Sequence, residues 1–167
     1  ALEVAGVRVG AQLLVTFVDL AQRKAAEKEI RTLATHDLLT GLPNRRLLVT
    51  RIKQAIAHCK APEHCALMML DLDNFKALND TRGHERGDAL LKLVAERIVG
   101  CVRTDDAVAR PGGDEFAVLL ECVGDSAESA QAHCEQIGHK ILDALRKPYL
   151  IDGEAHHSTL SLGIAMF

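Results

Sequence analysis

Apolar and polar positions fall into blocks along the chain, and each block predicts an element. Val4-Ala5-Gly6-Val7-Arg8-Val9 leads through Gly10 into residues 12–18, rich in β-branched side chains, which predicts a hairpin. Two strands alone are marginal in water, so this pair reads as the end of another sheet domain. Asp19 can cap a helix over residues 20–33 whose apolar stripe (Leu20, Ala26, Ile30, Leu33) is thin, as suits a linker or a helix that pairs with its own copy. From His36 the pattern becomes that of a compact domain. Asn44 caps a helix with Leu48, Ile52, Ala55 and Cys59 on one face. Residues 66–71 form a continuous apolar run ending in acid, the pattern of a central buried strand. A helix over residues 87–102 presents Leu90, Leu91, Val94 and Ile98. Strands over 107–110 and 116–120 flank Gly112-Gly113-Asp114-Glu115, a hairpin signal. Asp125 or Ser126 starts a third helix, with Cys134, Ile137, Ile141 and Leu145 inward and Pro148 at its end. Residues 149–151, Asp152-Gly153 and 155–165 read as a last hairpin. The order α-β-α-β-β-α-β-β predicts an α/β (α+β) fold with a mixed central sheet covered by helices.

Composition narrows the function. The chain has 167 residues, 48% hydrophobic and 26% charged, the mix of an ordinary globular protein rather than a disordered or disulfide-scaffold chain. Its 20 basic and 23 acidic residues leave a net charge of −3, and aromatics are only 3% with no Trp. Neither a basic field nor a base-stacking platform for nucleic acid is evident, so no nucleic-acid partner is expected. Five cysteines, odd in number and without a C-x-x-C pair, read as reduced thiols of a cytoplasmic protein. No apolar run approaches the roughly 18–20 residues of a membrane span.

The candidate chemistry is acidic. Asp71 and Asp73 lie at the exit of the predicted central strand, on one face with Leu72 opposite; Asp114 and Glu115 lie in the Gly-Gly turn. If the hairpin pairs with that strand, Asp71 and Asp114 converge. A few hard carboxylates beside open space suit Mg²⁺, which keeps water and substrate phosphates in its shell. Gly112 and Gly113 allow close backbone approach or positive φ. A plain hairpin turn with exposed acids explains the same residues. Lys76, Asn79 and Asp88 follow the strand exit. An Asn amide with an Asp carboxylate matches the hydrogen-bonding edge of guanine. Helix N-capping after Gly87 is the plainer explanation of Asp88. Thr81, Gly83 and His84 read as turn residues.

Arg110-Pro111-Gly112-Gly113-Asp114-Glu115-Phe116 resembles the signature of the GGDEF family, the diguanylate cyclases. Asp71-Leu72-Asp73-Asn74-Phe75-Lys76, Asn79-Asp80 and the stretch from Gly83-His84 to Gly87-Asp88 resemble its second motif, and residues 36–45 its opening motif. The resemblance covers residues 36–167. It implies a palm-like sheet wrapped by helices, similar to adenylyl cyclases and polymerase palms. It also implies condensation of two GTP into cyclic di-GMP with release of pyrophosphate. By position, Asp71, Asp114 and the Leu72 carbonyl would hold Mg²⁺ or Mn²⁺, and Glu115 would be a further ligand or would deprotonate the ribose 3′-hydroxyl. Lys76 would stabilise phosphate charge, and Asn79 and Asp88 would recognise guanine. Each domain would hold one GTP, so catalysis would need a homodimer. Arg103-Thr104-Asp105-Asp106 resembles the family's R-x-x-D product site, where Arg103 and Asp106 would bind inhibitory cyclic di-GMP; a solvated turn after a helix is the alternative. Residues 18–27 are similar to the exit of a PAS sensor domain. The expected organisation is thus a sensor remnant over residues 1–18, a signalling helix over 19–35 and a GGDEF domain over 36–167, whose family pattern continues past Phe167 with a Lys and an Arg for the triphosphate. The non-catalytic alternative is a GGDEF domain that binds GTP or cyclic di-GMP and regulates an attached phosphodiesterase.

Overall fold

The computed structural model describes residues 2–9 and 12–167, with side chains from Arg23 onward. It divides into two units, Ala1–Ala34 and Thr35–Phe167. In the first, β1 (Leu2–Val9) pairs antiparallel with β2 (Gln12–Asp19), as the β-branched runs predict, and α1 (Leu20–Thr35) follows directly. The capping expected of Asp19 lies outside the described side chains. Ile30 and Leu33 of the thin stripe are 66% and 52% exposed, so the described part of α1 buries no apolar face within its unit.

In the second unit, Asn44 caps α2 (Arg45–His58) by accepting from the Leu47 N–H at 3.2 Å. Then come β3 (His64–Leu72), α3 (Phe75–Arg82), α4 (His84–Val99), β4 (Ala107–Gly112), β5 (Glu115–Gly124), α5 (Ala127–Arg146), β6 (Tyr149–Ile151), β7 (Glu154–His156) and β8 (Leu160–Met166). The main sheet has the order β4-β5-β3-β8. The mixed sheet expected from the element order is antiparallel at every described pairing. The reason is topological. The helical crossovers do return the chain in the same direction, β3 to β4 and β5 to β8, but another strand sits between the members of each parallel pair.

The helices cover the sheet unequally. α4 and α5 lay Leu90, Leu91, Val94, Ile98, Ile141 and Leu145 on Met68, Leu70, Phe116 and Val118, all nearly fully buried. α2 covers part of the other face with Leu48 on Ala109 and Ala117. Ser126 caps α5, its hydroxyl and that of Ser129 each accepting from the other's backbone N–H. At the far end of α5, the Arg97 guanidinium donates to the carbonyls of Ala144, Lys147 and Pro148 and lies 3.8 Å over the Tyr149 ring. The last predicted hairpin splits in two. Among the described residues β7 pairs with β6 alone, while β8 crosses to the main sheet beside β3. Arg82 and Arg86 hold the small hairpin through Glu154 and Asp152.

Candidate active site

The register of β3 on β5 sets Asp71 opposite Glu115, and the Leu72 N–H donates to the Asp114 carbonyl at 3.4 Å. The convergence of Asp71 with the Gly-Gly turn is therefore a consequence of strand pairing. Gly112 pairs with Glu115, leaving Gly113 and Asp114 as a two-residue turn with Gly113 at φ +55. A Cβ on Gly112 or Gly113 would meet nothing within 4 Å, so the turn faces open space. Asp71 and Glu115 line a groove of about 320 Å³ with Met69, Ser161 and Gly163. The Asp71 residue is exposed overall, yet its carboxyl is raised above the ordinary carboxylate range, first by partial loss of water and then by the charges of Asp114, Glu115 and Asp73. No group of three His, Cys, Asp or Glu side chains converges as a ready-made metal shell among the described residues. The donor set fits Mg²⁺ in its usual manner, by one or two carboxylates with water and phosphates completing the shell.

Asp73 departs from Asp71. It lies past the strand end, where its carboxylate accepts from the hydroxyls of Thr159 (2.7 Å) and Ser161 (3.0 Å). Asn74, at φ +60, then turns the chain into α3, an element that the apolar pattern does not predict. α3 carries Lys76, exposed, in its first turn and Asn79 in its second. The Asn79 Oδ1 is buried with no hydrogen-bond partner among the described residues. It stands where a Cβ on Gly87 of α4 would project, so only glycine leaves it room. Helix α4 starts at His84, not at residue 87, and ends at Val99 rather than 102. Asp88 is therefore exposed inside the helix and does not cap it; Gly83, at φ +86, takes that place. Thr81 and His84, expected in a turn, are helical.

The description "Diguanylate cyclase, GGDEF domain" belongs to a family model that matches residues 34–167. The chain belongs to the GGDEF family. It is 41% identical over 161 residues to the bifunctional diguanylate cyclase/cyclic di-GMP phosphodiesterase MucR of Pseudomonas aeruginosa, covering 96% of this chain and 22% of that protein. It is 38% identical to the cyclic di-GMP phosphodiesterase PdeR of Escherichia coli, covering 92% and 22%. The chain thus spans about a fifth of the length of these relatives. A solved structure of the coiled coil and GGDEF domain of DgcB from Caulobacter crescentus, in complex with c-di-GMP, is similar at a TM-score of 0.74 and 26% identity, over 89% of this chain and 77% of that one. These likenesses confirm the palm-like fold expected of a GGDEF domain.

Two residues of this GGDEF domain that hold the turn escape inspection of the sequence. Arg110 is only 9% exposed; its Nε and Nη2 donate to the Gly113 carbonyl at 3.0 and 2.6 Å, and its Nη1 to Asp37 at 2.9 Å. Asp37 also accepts from the Thr40 N–H and hydroxyl. The opening motif thereby braces the signature turn from 73 residues away. The one visible signal was the presence of both motifs. At the other end of β4, the Arg103 N–H donates to Asp106 Oδ2 at 2.9 Å, and both residues line a separate groove.

Proposed function

We propose that this GGDEF domain condenses two GTP molecules into cyclic di-GMP, each domain of a homodimer presenting one GTP to the other. The 3′-oxygen of each nucleotide loses its proton and forms a bond to the α-phosphorus of the other, the bond from each phosphorus to its bridging oxygen breaks, and two pyrophosphates leave. The observation that carries this reading is the opposition of Asp71 and Glu115 beside Asp114, which gathers like charge at the edge of an open groove. Asp71, Asp114 and the Leu72 carbonyl would hold Mg²⁺ (or Mn²⁺), which supplies charge neutralisation for phosphoryl transfer. Glu115 adds a ligand or accepts the 3′-hydroxyl proton. Lys76 balances phosphate charge. Asn79, with its orphaned buried Oδ1, and the exposed carboxylate of Asp88 read the guanine edge. Gly112 and Gly113 let the backbone approach the nucleotide. Cyclic di-GMP returns to Arg103 and Asp106 as an inhibitor.

The exposed Ile30 and Leu33 of α1 support a signalling helix over residues 19–35 that pairs with its copy. A cytoplasmic setting follows from the nucleotides used. Among the described residues no helix is long and apolar enough to cross a membrane.

The test is incubation with GTP and Mg²⁺ followed by chromatography of the products. Cyclic di-GMP is expected from the dimeric protein and none from Asp114→Ala. Undiminished turnover by Asp114→Ala would sink the site. The likeness to a phosphodiesterase favours a second reading, a GGDEF domain that binds nucleotide to regulate its neighbour. Tight GTP binding without any product would select it.

A further inference from the structure

A groove of about 360 Å³ lies where the loop before α2, the helix itself and the turn after α4 come together. Pro43, Val99 and Val102 give it apolar walls. Three charged residues line it: Arg51 of α2, Arg103 and Asp106. Among the described residues the Arg51 side chain has no hydrogen-bond or ion-pair partner, although the residue is half-buried. The Arg103 guanidinium likewise has no partner among the described residues, since only its backbone N–H engages Asp106. Two guanidinium groups against one carboxylate make the groove locally positive on a chain whose net charge is −3. Unpaired guanidiniums beside an apolar wall suit a ligand that combines anionic oxygens with a flat ring, because the fork of N–H donors matches a phosphate and the wall covers a base.

We infer that Arg51 is a binding residue of the product site: with Arg103 it clamps the phosphodiesters of cyclic di-GMP, while Pro43, Val99 and Val102 cover a guanine face. The inference rests on the product-inhibition reading above and extends it to a residue 52 positions before Arg103, outside the R-x-x-D signature. Arg51 sits on the helix that also packs against β4 through Leu48, so a ligand held by both arginines joins α2 to the turn that precedes β4.

The test is calorimetric titration of the whole chain with cyclic di-GMP, with thermal melts of every variant to confirm folding. A charge-assisted phosphate contact contributes about 1.5–3 kcal/mol, so Arg51→Ala is expected to weaken binding roughly 10- to 100-fold. Arg51→Lys, which keeps the charge and loses the fork, should fall between the two, and Arg51→Gln serves if the alanine variant melts early. Arg45→Ala, at the exposed start of the same helix, should bind like the unaltered chain. Unchanged affinity in Arg51→Ala with loss in Arg103→Ala would overturn the role of Arg51 and leave the product site standing. Unchanged affinity in both, or no binding by the unaltered chain, would overturn the product site and this inference together. Because binding is read directly, neither result depends on whether the domain turns over GTP.

Discussion

The two ends of β4 carry the same residue types and use them in opposite ways. At its entry, Arg103 is exposed, and only its backbone meets the neighbouring acid, Asp106. At its exit, Arg110 is buried, and every hydrogen bond of its guanidinium runs to Asp37 or the Gly113 carbonyl. A buried arginine with its donors satisfied is architecture, since desolvation would make a free one very costly. An exposed arginine with free donors is available to a ligand. Composition and spacing do not separate the two; burial and partners do.

Breaking the exit end should have the largest effect. Arg110→Ala strands the Asp37 carboxylate and releases the Gly113 carbonyl, so urea unfolding should show a loss of about 3 kcal/mol, with turnover falling as the Asp114 turn loosens. A loss no greater than that of Arg103→Ala would erase the contrast. The partner acid gives the next test. Burial raises the Asp37 pKa, but the Thr40 hydroxyl, Arg110 and the Thr40 N–H outweigh it, so the carboxyl is held below its ordinary value of 3.8. A depressed folded pKa contributes stability that is full above 3.8 and is lost as pH falls through the folded value. Unfolding free energies from pH 6 down to pH 2 should therefore fall more steeply for the natural chain than for Asp37→Asn. Equal slopes would show that the acid is not linked to folding.

A third polar group, the buried Oδ1 of Asn79, sharpens the contrast because it has no partner among the described residues. In Gly87→Ala the new Cβ displaces that amide, while the helix gains up to about 1 kcal/mol in propensity. Stability should hold within that amount as the KM for GTP rises. A normal KM would remove Asn79 from guanine recognition. The smallest effect belongs to Arg103→Ala, expected to change stability by no more than about 0.5 kcal/mol because the side chain is exposed and unpaired.

Much of this was legible in the residues, and the misses have causes. The run at residues 66–71 announced β3, and strand pairing then brought Asp71 to Glu115. Helix α3 was hidden because it buries no residue: its half-buried positions are only Phe75, Leu78 and Asn79, set among polar residues with no sustained apolar stripe. The split of the last hairpin was hidden because His156-His157-Ser158-Thr159 contains no glycine or proline to mark the break. The brace from Asp37 to Arg110 spans too many positions for any local pattern to reveal. The nearby glycines, by contrast, were readable: Gly113 does adopt a positive φ.

The position of β3 between β5 and β8 has a consequence for synthesis. One edge of this strand can pair as soon as β5 is made, but its other edge waits for β8, and the clamp between Asp73 and Ser161 closes a separation of 88 residues. Contacts this distant form late and slow folding, because the intervening chain must be ordered first. A ribosome adding roughly 5–20 residues per second therefore leaves the strand that ends in Asp71 with an open edge for several seconds. During that interval the nascent chain offers a strongly apolar strand to any neighbour able to pair with it, and the same strand that later carries the acidic site is then open to aggregation.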